Sequence, residues 1–199
     1  MRFLVLSMLA LVLCAGANAL TVCRSAPVYE PCEIEFEMSE AEAAAHPNPY
    51  LSVVLRAEFR SPKKGSTMVI PGFWDGGRRF KIRFSPMAEG RWDFRIISNL
   101  ESVNRKVDSF EALPAVTPGF VRVFNLRYFR YDRPNTAHFW MGDTSYRFAT
   151  IPRETFQSLV DIRAAQKFNH IRGLVLGSDA SARRVLADPD RIDPEYFQE

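Results

Sequence analysis

Apolar and polar residues alternate along much of the chain between Cys32 and Val116. A period of two is typical of β-strands that have one face in a core and the other in water. Five such runs predict strands: Ile34–Met38, Leu51–Phe59, Met68–Ile70, Phe80–Phe84 and Trp92–Ile96. Evenly spaced short strands with turns between them predict an immunoglobulin- or fibronectin-like β-sandwich over residues 32–118.

Turn-forming residues separate these runs. Ser61–Gly65 and Asp75–Gly77 supply the proline and glycine that tight turns favour. Glu40–Ala45 supports a helical turn, which His46–Pro49 ends as a loop. Because only a short loop joins Phe80–Phe84 to Trp92–Ile96, we expect these two runs to pair as an antiparallel hairpin.

The pattern changes after Pro114–Gly119, which we interpret as a linker. Two strand-like runs follow, then a mostly apolar run, an amphipathic stretch and another apolar run. In order, these are Phe120–Val123, Tyr128–Tyr131, His138–Asp143, Pro152–Lys167 and His170–Leu176. The last three predict a β-α-β unit with a parallel crossover and with strands buried on both faces. A further helix is expected to begin at Asp193-Pro194-Glu195.

The first nineteen residues have the features of a secretory signal peptide. A basic Arg2 precedes the apolar run Phe3–Cys14, and the small residues of Ala17-Asn18-Ala19 predict cleavage after Ala19. The run is too short to span a bilayer, which takes about 20 residues. Lipidation at Cys14 is disfavoured because Leu13 stands where a small residue is expected. We therefore expect a secreted or periplasmic protein that has no membrane association after cleavage.

Two cysteines, Cys23 and Cys32, remain in the mature chain, nine positions apart. Export permits a disulfide between them. Such a bridge would staple an N-terminal arm, residues 20–31, and would stabilise it by about 2–3 kcal/mol in the loop-entropy model. Two free thiols are the alternative.

Charge and motif content exclude several function classes. The 26 basic and 23 acidic residues are interspersed, which is typical of a solvated surface rather than a nucleic-acid interface. The spacing of His46, His138 and His170 does not suit a local metal-binding pair, and two cysteines are too few for a structural zinc site. Nucleotide-binding glycine patterns and nucleophile elbows are absent. The sequence therefore predicts no metal and no cofactor.

Three ordered motifs resemble an uncharacterised sandwich domain that precedes many glycoside hydrolases. They are Gly72-Phe73-Trp74-Asp75-Gly76, Arg83-Phe84-Ser85-Pro86 and Glu89-Gly90-Arg91-Trp92. The resemblance covers about residues 27–118.

The region after residue 119 resembles the start of the apiosidase-like (β/α)8 barrels. Phe139–Thr144 is similar to their first barrel strand, and Ile192–Phe197 to the start of their second helix. Arg163, Phe168 and Asn169 are similar to their first helix and second-strand entry. The resemblance implies a truncated TIM barrel over residues 119–199, where a complete barrel needs about 250 residues.

Barrel active sites lie at the carboxyl ends of the strands. The resemblance places Asp143 and Arg172 there, as groups that would orient a sugar by accepting and donating hydrogen bonds. The alternative roles are a capping residue for Asp143 and a structural ion-pair partner for Arg172. Trp74, beside its turn, is a candidate for sugar stacking, and ordinary turn packing is the alternative.

The resemblance implies a glycoside-hydrolase-like protein that acts on or binds a polysaccharide or oligosaccharide. Because the family carries its two catalytic carboxylates on later strands, we assign no catalytic residue and expect no turnover by this chain alone. The alternative is a non-catalytic carbohydrate-binding or scaffold module. An exposed parallel edge predicts self-association, a C-terminal barrel partner, or a protease-sensitive tail after about residue 118.

Overall fold

The computed structural model describes residues 20–63, 65–132, 136–175, 188 and 190–194. Of these residues, 39% lie in strands and 16% in helices, so the prediction of a mainly β chain is confirmed. The predicted signal peptide lies outside the described residues, as does the predicted C-terminal helix from Glu195 onward. None of the described helices has the length and apolar character that a membrane span requires.

The first part of the described chain is a β-sandwich. Its elements are β1 Thr21–Val22, β2 Ser25–Pro27, β3 Cys32–Glu37, α1 Glu40–Ala45, α2 Pro49–Ser52, β4 Leu55–Arg60, β5 Thr67–Pro71, β6 Phe73–Trp74, β7 Arg79–Phe84, β8 Gly90–Ser98 and β9 Val107–Leu113. One sheet has the order β1-β3-β7-β6 and the other β2-β9-β8-β4-β5. All neighbouring strands are antiparallel except β2 and β9.

Aromatic side chains fill the space between the two sheets. Phe59 on β4 stacks on Phe84 of β7 with ring centroids 4.0 Å apart, and Phe84 lies 5.0 Å from Trp92 on β8. All three side chains are buried. The burial of each side chain stabilises the fold by about 1.5–3 kcal/mol. The alternate positions of the same strands are charged residues that face the solvent.

The N-terminal arm belongs to the sandwich. In the structure β1 pairs with β3 in one sheet and β2 pairs with β9 in the other, so the arm supplies a strand to each. Val22 and Ala26 are part of the core. Cys23 and Cys32 form a disulfide with Cα atoms 5.6 Å apart, which ties the arm to β3.

The predicted hairpin of Phe80–Phe84 with Trp92–Ile96 is wrong. β7 pairs with β3 and β6, whereas β8 pairs with β4 and β9 in the opposite sheet. The chain crosses between the sheets through the buried Pro86. The inward faces of both strands are aromatic because they meet across the core. The alternation along a single strand is the same whether its partner lies in the same sheet or in the facing sheet, so it cannot predict the pairing.

The strand predicted from Leu51 begins only at Leu55. Pro49 starts the short helix α2, because its fixed φ and missing N–H suit the first helical position. Leu51 consequently points to solvent, with 56% of its surface exposed. The helical turn predicted at Glu40–Ala45 is confirmed as α1, and Ser39 and Glu42 cap it reciprocally.

Smaller elements follow the sandwich: β10 Val121–Phe124, β11 Tyr128–Tyr131, β12 Ala137–His138, β13 Gly142–Thr144, a 3-10 turn at Phe148–Thr150, α3 Arg153–Ala165 and β14 His170–Arg172. The first three strands form an antiparallel sheet. β13 and β14 are parallel with α3 between them, so the predicted β-α-β crossover is confirmed.

The apolar run His138–Asp143 is not one buried strand. It splits into β12 and β13, because the Asn169 side chain binds the main chain between them, at Phe139 O and Met141 N. Phe139 and Trp140 are 74% and 55% exposed. The expected burial on both faces is therefore wrong for the described residues.

We expect Phe59→Ala to destabilise the sandwich by about 3–5 kcal/mol, because it opens a cavity where two sheets meet. The exposed Phe139→Ala is the matched control and should change the free energy of unfolding by less than about 0.5 kcal/mol. Urea unfolding followed by circular dichroism measures both values. Equal effects of the two substitutions would contradict the assigned core.

We also expect limited proteolysis to cut after about residue 118 before it cuts the sandwich. Among the described residues, the buried apolar core lies entirely between Val22 and Ala112, and α3 has no buried residue. Segments with few buried contacts open most readily. Mass spectrometry of the fragments is the measurement, and a first cut within β3–β9 would contradict the expectation.

Candidate functional site

Trp74 lies at the end of β6, where the Asp75–Gly77 turn leads the chain into β7. Gly76 and Gly77 have φ values of 90° and 52°, a backbone region that glycine adopts without strain. The turn brings the Gly77 carbonyl to the indole, whose Nε1 donates a hydrogen bond of 2.8 Å to it. Trp74 is half-buried against the core. The ring is therefore held in place by both packing and a hydrogen bond.

Two cavities of about 400 Å³ and about 490 Å³ border Trp74. Ile192 lines both of them, and the larger one also has polar and aromatic walls. These walls include Tyr50, Phe73, Asp75 and Arg83. Aromatic faces can stack on the C–H face of a sugar ring, and carboxylate and guanidinium groups can bind its hydroxyls.

Asp143 is on β13, and each of its two carboxylate oxygens accepts one hydrogen bond within the fold. It accepts a hydrogen bond from the Thr144 amide at 2.7 Å and another from Arg163 Nε on α3. The Thr144 amide first, and Arg163 second, hold the pKa of Asp143 below its ordinary value. The partner of this carboxylate is an arginine rather than a second carboxylate, so the geometry is that of an ion pair.

Arg172 is at the end of β14, beside β13. The parallel register pairs Thr144 with Arg172, so Asp143 and Arg172 occupy neighbouring strands one register position apart. The guanidinium of Arg172 lies over the ring of Tyr146, 5.8 Å from the centroid. The residue is exposed, and an exposed guanidinium over an aromatic ring can still donate to a ligand.

The structure brings Asp143 and Arg172 to one edge but does not join them to Trp74. Neither residue lines the two cavities that border Trp74. The Trp74 surface belongs to the sandwich, and the Asp143 edge belongs to the β-α-β unit. The three predicted residues therefore form two separate surfaces.

A pair of histidines, His138 on β12 and His170 at the start of β14, was not predicted from the sequence. The Nε2 atoms of His138 and His170 lie 2.9 Å apart, and His138 is buried. Tyr131 Oη contacts His138 Nδ1 at 2.8 Å, and the Trp140 indole stacks on His170 at 3.8 Å. Burial, and secondarily His138, lower the pKa of His170.

Alignment of the predicted parallel strands does not bring these two histidines together, because the register pairs His170 with Gly142. His138 lies on β12 in the antiparallel sheet, and local spacing in the sequence gives no signal for a contact 32 positions apart. Within the described residues, no group of three or more potential metal ligands among His, Cys, Asp and Glu occurs.

Residues 25–99 match a family described as a domain of unknown function, DUF5060. The match lies within the sandwich, so the resemblance expected there is confirmed at the level of an uncharacterised domain family. No curated protein matches the chain.

The chain is similar in fold to a solved structure described as a putative glycoside hydrolase from Bacteroides vulgatus. The match covers 88% of this chain with a TM-score of 0.74 and 23% sequence identity. Because residues 20–118 make up only about half of the chain, the shared fold extends beyond the sandwich. This chain spans 37% of that protein. The Lin-41 filamin domain also aligns, over 49% of this chain and 94% of its own length, with 13% identity and a TM-score of 0.36.

We expect the Arg163→Gln substitution to raise the pKa of Asp143 toward its ordinary value, because one of two stabilising donors is lost. Since the folded pKa is depressed, the stability that Asp143 contributes is present above its unfolded pKa and is lost as the pH falls through the folded pKa. A carboxyl ¹³C NMR titration measures the shift. The Arg153→Gln control, at the first position of α3, should leave it unchanged, and equal titrations would contradict the ion pair.

Proposed function

We propose that this chain is the N-terminal portion of a secreted glycoside-hydrolase-like protein that acts on or binds polysaccharide. The observation that carries the proposal is the fold shared over 88% of the chain with a protein described as a putative glycoside hydrolase. The DUF5060 match within the sandwich agrees with it. Export is supported by the signal-like sequence of residues 1–19.

The segment after residue 119 is, in this proposal, the beginning of an apiosidase-like (β/α)8 barrel. Two features support it: the parallel pairing of β13 with β14 and the crossover through α3. In such barrels the carboxyl ends of the strands bear the active site. Asp143 on β13 and Arg172 on β14 would lie near those ends in such a barrel and would orient a sugar there.

We expect binding without turnover from this chain alone. Glycoside hydrolysis uses two carboxyl groups, about 5–5.5 Å apart for retention and about 6.5–9.5 Å for inversion of configuration. Thr144 and Arg163 hold Asp143 ionised, which does not suit the proton donor of such a pair, and its charged partner is an arginine rather than a second carboxylate. The acid and the nucleophile would come from a further part of the barrel or from a partner.

A second candidate is a non-catalytic carbohydrate-binding or scaffold module. The specific observation in its favour is that the sandwich encloses the whole buried apolar core of the described residues and presents Trp74 beside two cavities. Incubation with plant-type oligosaccharides tests whether this chain turns over a sugar by itself. Released reducing sugar would contradict the expected lack of turnover and the module alike, and binding without release agrees with both candidates.

In either case we expect Trp74→Ala to weaken polysaccharide binding by about tenfold or more, because losing an aromatic contact of about 1.5 kcal/mol changes a dissociation constant tenfold. Affinity gel electrophoresis against a panel of soluble plant polysaccharides measures the change. The matched control is Tyr128→Ala, which removes an exposed ring on β11.

Equal binding by Trp74→Ala, Tyr128→Ala and the unmodified chain would refute the assignment of Trp74. Part of Trp74 packs on the core, so its truncation could disturb the fold. A circular dichroism spectrum of Trp74→Ala that matches the unmodified chain assigns a loss of binding to the removed ring.

A further inference from the structure

The contact between His138 and His170 joins two sheets that share no strand. His138 is on β12, in the antiparallel sheet, and His170 is on β14, in the parallel pair. Their Nε2 atoms are 2.9 Å apart, a distance at which one nitrogen donates a proton and the other accepts it. None of the roles proposed for Trp74, Asp143 or Arg172 uses this contact.

The contact tolerates at most one extra proton. With both rings neutral, one Nε2–H donates to the bare Nε2 of the other ring. Tyr131 can serve His138 Nδ1 as donor or as acceptor, so either tautomer is satisfied. One imidazolium can still donate to a neutral partner. If both rings are protonated, each Nε2 carries a hydrogen, so the bond is lost and two like charges face each other.

We propose that His138 and His170 form an acid-sensitive clasp, which adds to the Asn169 contacts in holding β12 near β14 and is released when both imidazoles are protonated. The two protons come from the solvent, and no other bond is formed or broken. Release also separates the stacked rings of Trp140 and His170, which lie 3.8 Å apart in the closed state. The clasp needs no sugar ligand and is therefore independent of the proposed function.

Among the described residues, those in contact with the clasp carry no negative charge that would offset a second proton. Tyr131 faces it from β11, the uncharged indole of Trp140 covers His170, and Gly142 is paired with His170 on β13. The nearest charged side chains on these strands have other partners. Arg130 lies over the Phe124 ring, Asp143 binds Arg163, and Arg172 lies over the Tyr146 ring.

An NMR titration of the unmodified chain is the first test. We expect the ring resonances of His138 and His170 to shift together over one pH range, because the second proton breaks a hydrogen bond that both rings share. Two independent single-step titrations for His138 and His170 would overturn the proposal.

Hydrogen exchange of His170→Gln is the second test. A glutamine amide can donate to neutral His138 and its oxygen can accept from protonated His138, so this variant keeps the contact in both states. From about pH 8 to about pH 4.5, protection of β12 and β14 should fall about tenfold or more in the unmodified chain. In His170→Gln it should stay nearly constant.

The matched control is His46→Gln, which removes a titrating imidazole from the sandwich while leaving the clasp intact. Because the three proteins share every carboxylate, acid effects on carboxylates appear equally in all of them. Protection of β4 and β8 reports on the sandwich as an internal reference. If His170→Gln loses protection with the same pH profile as the unmodified chain and as His46→Gln, the clasp is refuted.

Discussion

The sandwich depends on the contact of Phe84 with aromatic rings of the opposite sheet. This one side chain of β7 stacks on Phe59 and also reaches Trp92 and Phe110, so it touches three strands of the facing sheet. Sheets that face each other lie about 10 Å apart, and only large side chains from both can fill that space. The same strand pairs Phe80 with Trp74. The aromatic layer thereby also positions the turn on which the candidate sugar surface is built.

Alternation in the sequence predicts which face of a strand is buried, and here it did so for most of the sandwich. It cannot specify which strand is the neighbour, since any inward aromatic face satisfies the same core. This is why the inward faces of β7 and β8 were predicted correctly and their pairing was not. At Leu51 a local effect prevailed, because Pro49 fixes a helical start regardless of the alternation that follows.

The candidate sites, too, could be predicted from the sequence only in part. The parallel placement of Asp143 and Arg172 followed from the order of the predicted elements, because a β-α-β crossover aligns the ends of its strands. The ion pair with Arg163 required the rotation of α3 about its axis, which the weakly apolar helix sequence does not specify. The His138–His170 pair does not follow from this strand alignment, because the register pairs His170 with Gly142 and His138 lies on β12 in a different sheet.

The two parts of the described chain are held by different forces. The sandwich is stabilised by apolar burial, whereas the segment after residue 119 is joined through polar contacts: the Asp143–Arg163 pair, the His138–His170 clasp and the Asn169 amide. Apolar burial does not depend on protonation, and these charged and imidazole contacts do. Acid should therefore loosen the edge that carries Asp143 and Arg172 while the Trp74 surface keeps its shape. A ligand that contacts both surfaces would then bind only at pH values at which at most one of the two imidazoles is protonated.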